Sequence, residues 1–154
     1  MEIERKFTIK KLPEDLDSYA YADIEQGYLC RNPVVRVRRF NDDYILTYKN
    51  KQERKGSDPL INIEEEFPLT KEGYEHLLEK ADGNVITKRR YMIPLENGLK
   101  IELDIFHGKF EGLYFAEVEF RSVEEANSFV APDWFDEDVT DDYHYSNGYM
   151  SSIN

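Results

Sequence analysis

Six pairs of like-charged residues, each pair split by a single position, carry the chemistry of this sequence: Glu2/Glu4, Arg36/Arg38, Glu64/Glu66, Lys88/Arg90, Glu102/Asp104 and Glu117/Glu119. Residues two apart on a strand share a face, and like charges there repel unless opposite charge or a ligand lies nearby. Carboxylates present hard oxygen donors to divalent cations, while lysine and arginine present cationic donors to an anion. A surface that aligned both sets would hold a divalent metal beside a polyanion. Apolar residues alternate with the charges: Ile3 and Phe7, Val35 and Val37, Ile61, Ile63 and Phe67, Leu99, Ile101, Leu103 and Ile105, then Ala116, Val118 and Phe120. A sheet with one wet and one buried face gives such alternation without any function. Here the polar positions hold almost no Ser, Thr, Asn or Gln, unlike an ordinary solvated face.

The elements that must position these residues are mostly strands, predicted over 1–8, 24–31, 34–40, 43–50, 60–67, 84–93, 99–106 and 113–121. Turn chemistry separates them at Asn32-Pro33, Asn41-Asp42-Asp43, Glu96-Asn97-Gly98, and from His107-Gly108 to Glu111-Gly112. Lys51 to Pro59 is polar and unpatterned and reads as a mobile loop. Thr70 is placed to cap a helix running to about Lys80, with Tyr74, Leu77, Leu78 and Ala81 on its buried face. Ser122 followed by Glu125 has capping-box spacing for a short helix to about Phe129. From Pro132 onward, Trp134, Phe135, Val139, Tyr143 and Tyr145 predict a tail folded back on the body, with one more turn near Ser146 to Ser151.

Eight strands are enough to close a barrel and remove its edges. With the charged face inward, the lumen gathers eight carboxylates: Glu2, Glu4, Glu64, Glu66, Glu102, Asp104, Glu117 and Glu119. It also gathers six cations: Lys6, Arg36, Arg38, Lys49, Lys88 and Arg90. Two divalent ions would turn this surplus of two negative charges into two positive. Such a lumen must be wet, because unpaired buried charge is too costly. The apolar outer face then needs the helices and the tail as cover.

Composition narrows the classes. The 154 residues set a prior of one domain, 1–154, able to bury roughly two-thirds of its unfolded surface. Asp and Glu number 32 against 20 Lys and Arg, a net charge of -12 that argues against a nucleic-acid binder. Aromatic residues at 14% exclude a disordered acidic chain. No apolar run is long enough for a membrane span, and the N-terminus lacks signal-peptide features, so the expected location is cytoplasmic. Single Cys30 excludes an intrachain disulfide and reads as a packed thiol. His76, His107 and His144 are scattered, which disfavours a histidine metal site. Neither a P-loop nor a Ser-His-Asp arrangement is evident.

The ordered set of strands also carries a resemblance. Glu2-Ile3-Glu4-Arg5-Lys6-Phe7 resembles the ExExK signature that opens the CYTH family, also called triphosphate tunnel metalloenzymes. Gln26-Gly27-Tyr28-Leu29 looks like its second-strand motif and Val35-Arg36-Val37-Arg38 like its paired arginines. Leu46-Thr47-Tyr48-Lys49 supplies a lysine strand and Ile63-Glu64-Glu65-Glu66-Phe67 an acidic one. Thr87-Lys88-Arg89-Arg90-Tyr91 resembles the KxR strand, Glu102-Leu103-Asp104-Ile105-Phe106 the acidic strand after it, and Ala116-Glu117-Val118-Glu119-Phe120 the late ExE strand. Val139-Thr140 through Tyr145-Ser146-Asn147 resembles the closing motif. ExExK alone is a weak signal, but the ordered set, covering nearly the whole chain, is a strong one. The compact length looks most like the bacterial inorganic triphosphatase branch.

The resemblance implies a mainly β fold with a few helices: an eight-stranded antiparallel closed barrel with a charged lumen and helices outside. It implies hydrolysis of the terminal phosphoryl of tripolyphosphate, and more weakly of nucleoside triphosphates, with Mg²⁺ or Mn²⁺. On the family pattern Glu2, Glu4 and Glu119 hold metal with Glu117 close behind. Lys6, Arg36, Arg38, Lys49, Lys88 and Arg90 grip phosphate oxygens. Glu64, Glu66, Glu102 and Asp104 form a second acidic cluster for another metal or for the attacking water, with Glu66 and Asp104 favoured, and Lys6 joins the catalytic set. Tyr28 either approaches the substrate or packs. An adenylate cyclase of the same fold, and a polyphosphate- or nucleotide-binding module without turnover, are the alternatives. The expected partner is a small polyanion, with no nucleic acid or membrane, on a monomer or homodimer.

Overall fold

The computed structural model describes residues 2–51 and 60–153, so most of the loop expected at 51–59 lies outside the described residues; Lys51 ends a strand. The expected eight strands are present as β1 (Glu2–Ile9), β2 (Ala20–Arg31), β3 (Val34–Phe40), β4 (Asp43–Lys51), β5 (Ile61–Pro68), β6 (Ile86–Pro94), β7 (Lys100–Phe106) and β8 (Tyr114–Glu119). All neighbours pair antiparallel in the order β5-β4-β3-β2-β6-β7-β8-β1. Glu2 opposite Asn62 and Ile3 opposite Ile61 join β1 to β5 and close the barrel. Beyond that seam β1 leaves β5, and a ninth strand, β9 (Phe135–Asp138), takes its free edge.

Besides shifts of one or two residues at other ends, β2 and the tail depart from the sequence reading. β2 starts at Ala20, because its first residues pair with β6 and Asp23 accepts two hydrogen bonds from the Arg89 guanidinium, at 2.8 and 3.2 Å. β9 was not expected as a strand. Three of its four residues are acidic, and the open edge of β1 imposes the conformation. Cys30 is also corrected from packed to exposed, since a register shift between Tyr28 and Cys30 re-aims the end of β2.

The helices are α1 (Lys71–Leu78), α2 (Val123–Ser128) and α3 (Asn147–Ser152). The Thr70 hydroxyl accepts from Gly73 N at 3.0 Å and the Ser122 hydroxyl from Glu125 N at 3.0 Å. The Glu125 carboxylate answers by accepting from Arg121 N, one residue before the cap, rather than from the cap itself. α1 lies against β2 where Gly27 leaves room: a Cβ there would stand 2.8 Å from Ala81 Cβ. Helix and tail cover the outer face as the alternation requires. Phe7, Tyr91, Ile101, Leu103, Ala116, Val118 and Phe120 form a buried cluster with Ala126 of α2 and Phe135 of β9, and Phe129 and Trp134 pack against it. Each large side chain buried there is worth about 1.5–3 kcal/mol.

Candidate active site

Pleating turns one list of residues per strand into the bore, and cross-strand register decides which charges meet. Lys6 stands opposite Glu117, Lys49 opposite Glu64 and Arg90 opposite Asp104, so opposite charges face each other on three seams. Acid also faces acid, at Glu4 opposite Glu119 on the same β1–β8 seam and at Glu102 opposite Glu117 between β7 and β8. The bore is a cavity of about 890 Å³. Thirteen of the fourteen residues predicted for the site line it: Glu2, Glu4, Lys6, Arg36, Arg38, Lys49, Glu64, Glu66, Lys88, Arg90, Glu102, Glu117 and Glu119.

Asp104, the fourteenth, is 1% exposed and lies beneath the lining. Its carboxylate accepts from Arg90 Nε at 2.7 Å and Arg90 Nη2 at 2.9 Å, and pairs with Lys88 Nζ at 2.7 Å. Arg90 also reaches Glu102 Oε2 at 2.9 Å. Although burial opposes it, Arg90 and Lys88 hold Asp104 below the ordinary carboxylate range. Burial pushes Lys88 down to about 8, with Asp104 pulling the other way.

The bore has a shut end. Tyr28, Ile86, Phe106 and Phe115 share the inward faces of their strands with the charges and cluster with Phe110 and Met150 of α3. Tyr28 thus packs, and it also borders the cavity. α3 is fastened from outside its ring of strands: Arg31 Nε donates to Gly148 O at 3.0 Å and Asn84 N to Ser151 O at 2.6 Å. Gly83 permits that approach, since at φ +88° its Cβ would meet Ser151 O at 2.1 Å. From α3, Asn147 Oδ1 accepts from Lys88 Nζ at 3.0 Å and Gln26 Nε2 at 3.1 Å. Alternation along strands does not reveal Asn147 or Gln26 as partners of the lysine. Their only signal in the sequence is membership of two motif-like segments, one on β2 and one in the tail.

Acid dominates the wall of β1 and β8. Lys49 Nζ lies 2.5 Å from Glu2 Oε1 and 3.0 Å from Glu4 Oε1. Burial, then the neighbouring Glu117, pushes the Glu4 carboxyl up to about 8. Burial likewise raises Glu2 and Glu119. Glu117 goes the other way: against burial, Lys6, Arg90 and Lys88 hold it well below the ordinary range. Glu4 and Glu117 are hydrogen-bonded, so this pair keeps one proton on Glu4 where a cation would serve equally. The donor set fits a hard divalent ion by its chemistry, oxygen throughout and short of positive charge. Its present spacing is not yet a cage: among the described residues no three Asp, Glu, His or Cys side chains converge as metal ligands.

The cationic side is also incomplete. Arg38 Nη2 lies 3.6 Å from Glu66 Oε2 and Lys6 Nζ 3.6 Å from Glu117 Oε1, both long for an ion pair. Among the described residues Arg36 Nε and Arg38 Nε are buried without a hydrogen-bond partner. Burial, with Arg36 and Arg90 adding to it, lowers Arg38 to about 10. Two guanidiniums on one strand face with spare donors are a receptor for an anion with several oxygens.

No family model matches the chain. The inorganic triphosphatase of Nitrosomonas europaea is 34% identical over 149 residues, spanning 95% of this chain and 93% of that protein. The inorganic triphosphatase of Acetivibrio thermocellus is 35% identical over 158 residues, spanning 95% of this chain and 90% of that one. A crystal structure of an inorganic triphosphatase shares the fold with a TM-score of 0.72 at 31% identity, over 100% of this chain and 96% of its own. Among the described residues no helix is long and apolar enough to cross a membrane. With identity of this level over nearly the full length of both relatives, and a charged tunnel of the same fold, the chain belongs to the triphosphate tunnel (CYTH) family, in its inorganic triphosphatase branch.

Proposed function

We propose that the bore binds inorganic tripolyphosphate with Mg²⁺ or Mn²⁺ and releases phosphate by hydrolysing the terminal phosphoryl, with nucleoside triphosphates as weaker substrates. The observation that carries this reading is the pair of buried, unpartnered donors, Arg36 Nε and Arg38 Nε, on two arginines that line a cavity of charge. Two relatives named as inorganic triphosphatases support the choice of substrate. The location we assign is the cytoplasm.

Arg36, Arg38, Lys6, Lys49, Lys88 and Arg90 take the phosphate oxygens, the arginines by paired N–H donors. Asp104 acts on this grip from below by fixing Arg90 and Lys88, so we assign it a positioning role and leave the water to the carboxylates that line the cavity. Among Glu64, Glu66 and Glu102, Glu66 is the most open, its side chain 45% exposed, and it is the best placed of the three to accept a proton from attacking water. Glu2, Glu4, Glu117 and Glu119 would hold the divalent cation, which supplies neutralisation of the phosphate charge when bound. Phosphoryl transfer asks mainly for such positioning and electrostatic stabilisation, which this wall of fixed charges provides without reorganisation.

The test is a phosphate-release assay on tripolyphosphate, pyrophosphate, ATP and thiamine triphosphate with Mg²⁺, Mn²⁺ or EDTA. Metal-dependent release, fastest from tripolyphosphate, is the expected outcome. Cyclic AMP with pyrophosphate from ATP, or tight binding without release, would overturn it.

A further inference from the structure

Lys49 sits where its register does not send it. Directly opposite on β5 stands Glu64, yet the Lys49 ammonium passes that neighbour and crosses to β1, meeting Glu2 at 2.5 Å and Glu4 at 3.0 Å. Glu64 hydrogen-bonds Glu2 instead, and among the described residues its Oε2 is buried without a partner in the hydrogen-bond geometry. The ammonium therefore fills the gap between two carboxylates in preference to its nearest acid. A compact positive charge on a flexible four-carbon stem suits that use, and the same stem lets it swing away within the cavity it lines.

We propose that Lys49 is a tethered stand-in for the divalent ion, displaced from Glu2 and Glu4 when that ion enters and thereby freed to meet the phosphates. This rests on the metal and triphosphate reading above. A dication between Glu2 and Glu4 would stand within a few ångströms of the ammonium, and like charges that close in a partly buried site repel strongly. The displaced ammonium is not stranded, because Glu64 stands directly opposite on β5 and Lys49 lines the same cavity as Arg36 and Arg38. Lys49 thus works against metal binding when the bore is empty and for substrate binding once metal is present.

The experiment is Mn²⁺ titration of the intact protein, with free Mn²⁺ read by electron paramagnetic resonance, for the wild type, Lys49→Met and Lys6→Met. Circular dichroism confirms that each variant is folded. In Lys49→Met, Mn²⁺ affinity without substrate should rise about ten-fold, within the usual range of coupled sites, while KM for tripolyphosphate rises as well. Lys6→Met should tighten Mn²⁺ by a smaller factor, because its ammonium contacts Glu117 at 3.6 Å and donates to Tyr145 O rather than bridging Glu2 and Glu4. A second readout uses ¹³C-methylated lysines: Mg²⁺ alone should shift the signal that Lys49→Met removes. Unchanged or weaker Mn²⁺ binding in Lys49→Met, or a Lys49 signal that ignores Mg²⁺, overturns the inference while leaving a metal-binding wild type intact. Failure of the wild type to bind Mn²⁺ or release phosphate overturns the underlying reading with it.

Discussion

Two walls of one tunnel treat charge in opposite ways. On β6 and β7, Arg90 and Lys88 close around Asp104, Arg90 extends to Glu102, and Asn147 completes the lysine. Each of these four charges has a partner inside the protein. On β1 and β8, four carboxylates share Lys49 and Lys6, and Glu4 faces both Glu119 and the hydrogen bond to Glu117. The first wall is finished before any ligand arrives. The second is complete only with a proton or an added cation. The contrast separates what the fold must build for itself from what it leaves for ligands: a rigid grip for an anion, and a deficit that selects a metal.

The finished wall breaks hardest. Asp104→Ala would leave Lys88 buried without its counter-ion and Arg90 with Glu102 alone, and should cost about 3–5 kcal/mol in urea unfolding. A loss below 1 kcal/mol would show that the wall is not self-contained.

On the unfinished wall the sign reverses. The folded-state pKa of Glu4, about 8, lies above its ordinary value of 4.5, so the native state holds a proton that the unfolded chain has released. Metal-free stability should therefore fall as pH rises from about 4.5 to 8, and part of that fall should vanish in Glu4→Gln. Both are read from urea midpoints across pH. The same variant should lose about 100-fold or more of metal-dependent phosphate release, a magnitude typical of removing one electrostatic group from a catalytic site.

Smallest is the effect at the open rim. Glu66→Gln breaks a 3.6 Å contact to Arg38 at a half-exposed side chain, so unfolding should move by less than about 1 kcal/mol. Phosphate release should still drop, with kcat falling more than KM rises, if Glu66 serves the water.

The inward and outward lists were legible in the sequence because a strand has period two, and same-sign pairs marked the wet side. The same alternation rules out a one-residue slip, which would turn every charge to the outer face, but it does not choose among registers two residues apart. Depth along the bore was not legible. Glu102, Asp104 and Phe106 occupy successive inward positions on β7, yet the first lines the cavity, the second lies under it and the third belongs to the plug. Alternation says which side a residue faces and nothing about how far along the axis it stands. Contacts made by the tail were equally hidden, because β9 and Asn147 are placed by β1, β2 and β6 rather than by local pattern. Cys30 escaped through a bulge, which breaks the period without a signature of its own.

Crystals grown with Mg²⁺ and the non-hydrolysable analogue imidotriphosphate test the central claim most directly. The account predicts the analogue inside the barrel, within hydrogen-bond distance of Arg36 Nε and Arg38 Nε. Density for it on the outer surface, or an empty bore at saturating analogue, would contradict the account.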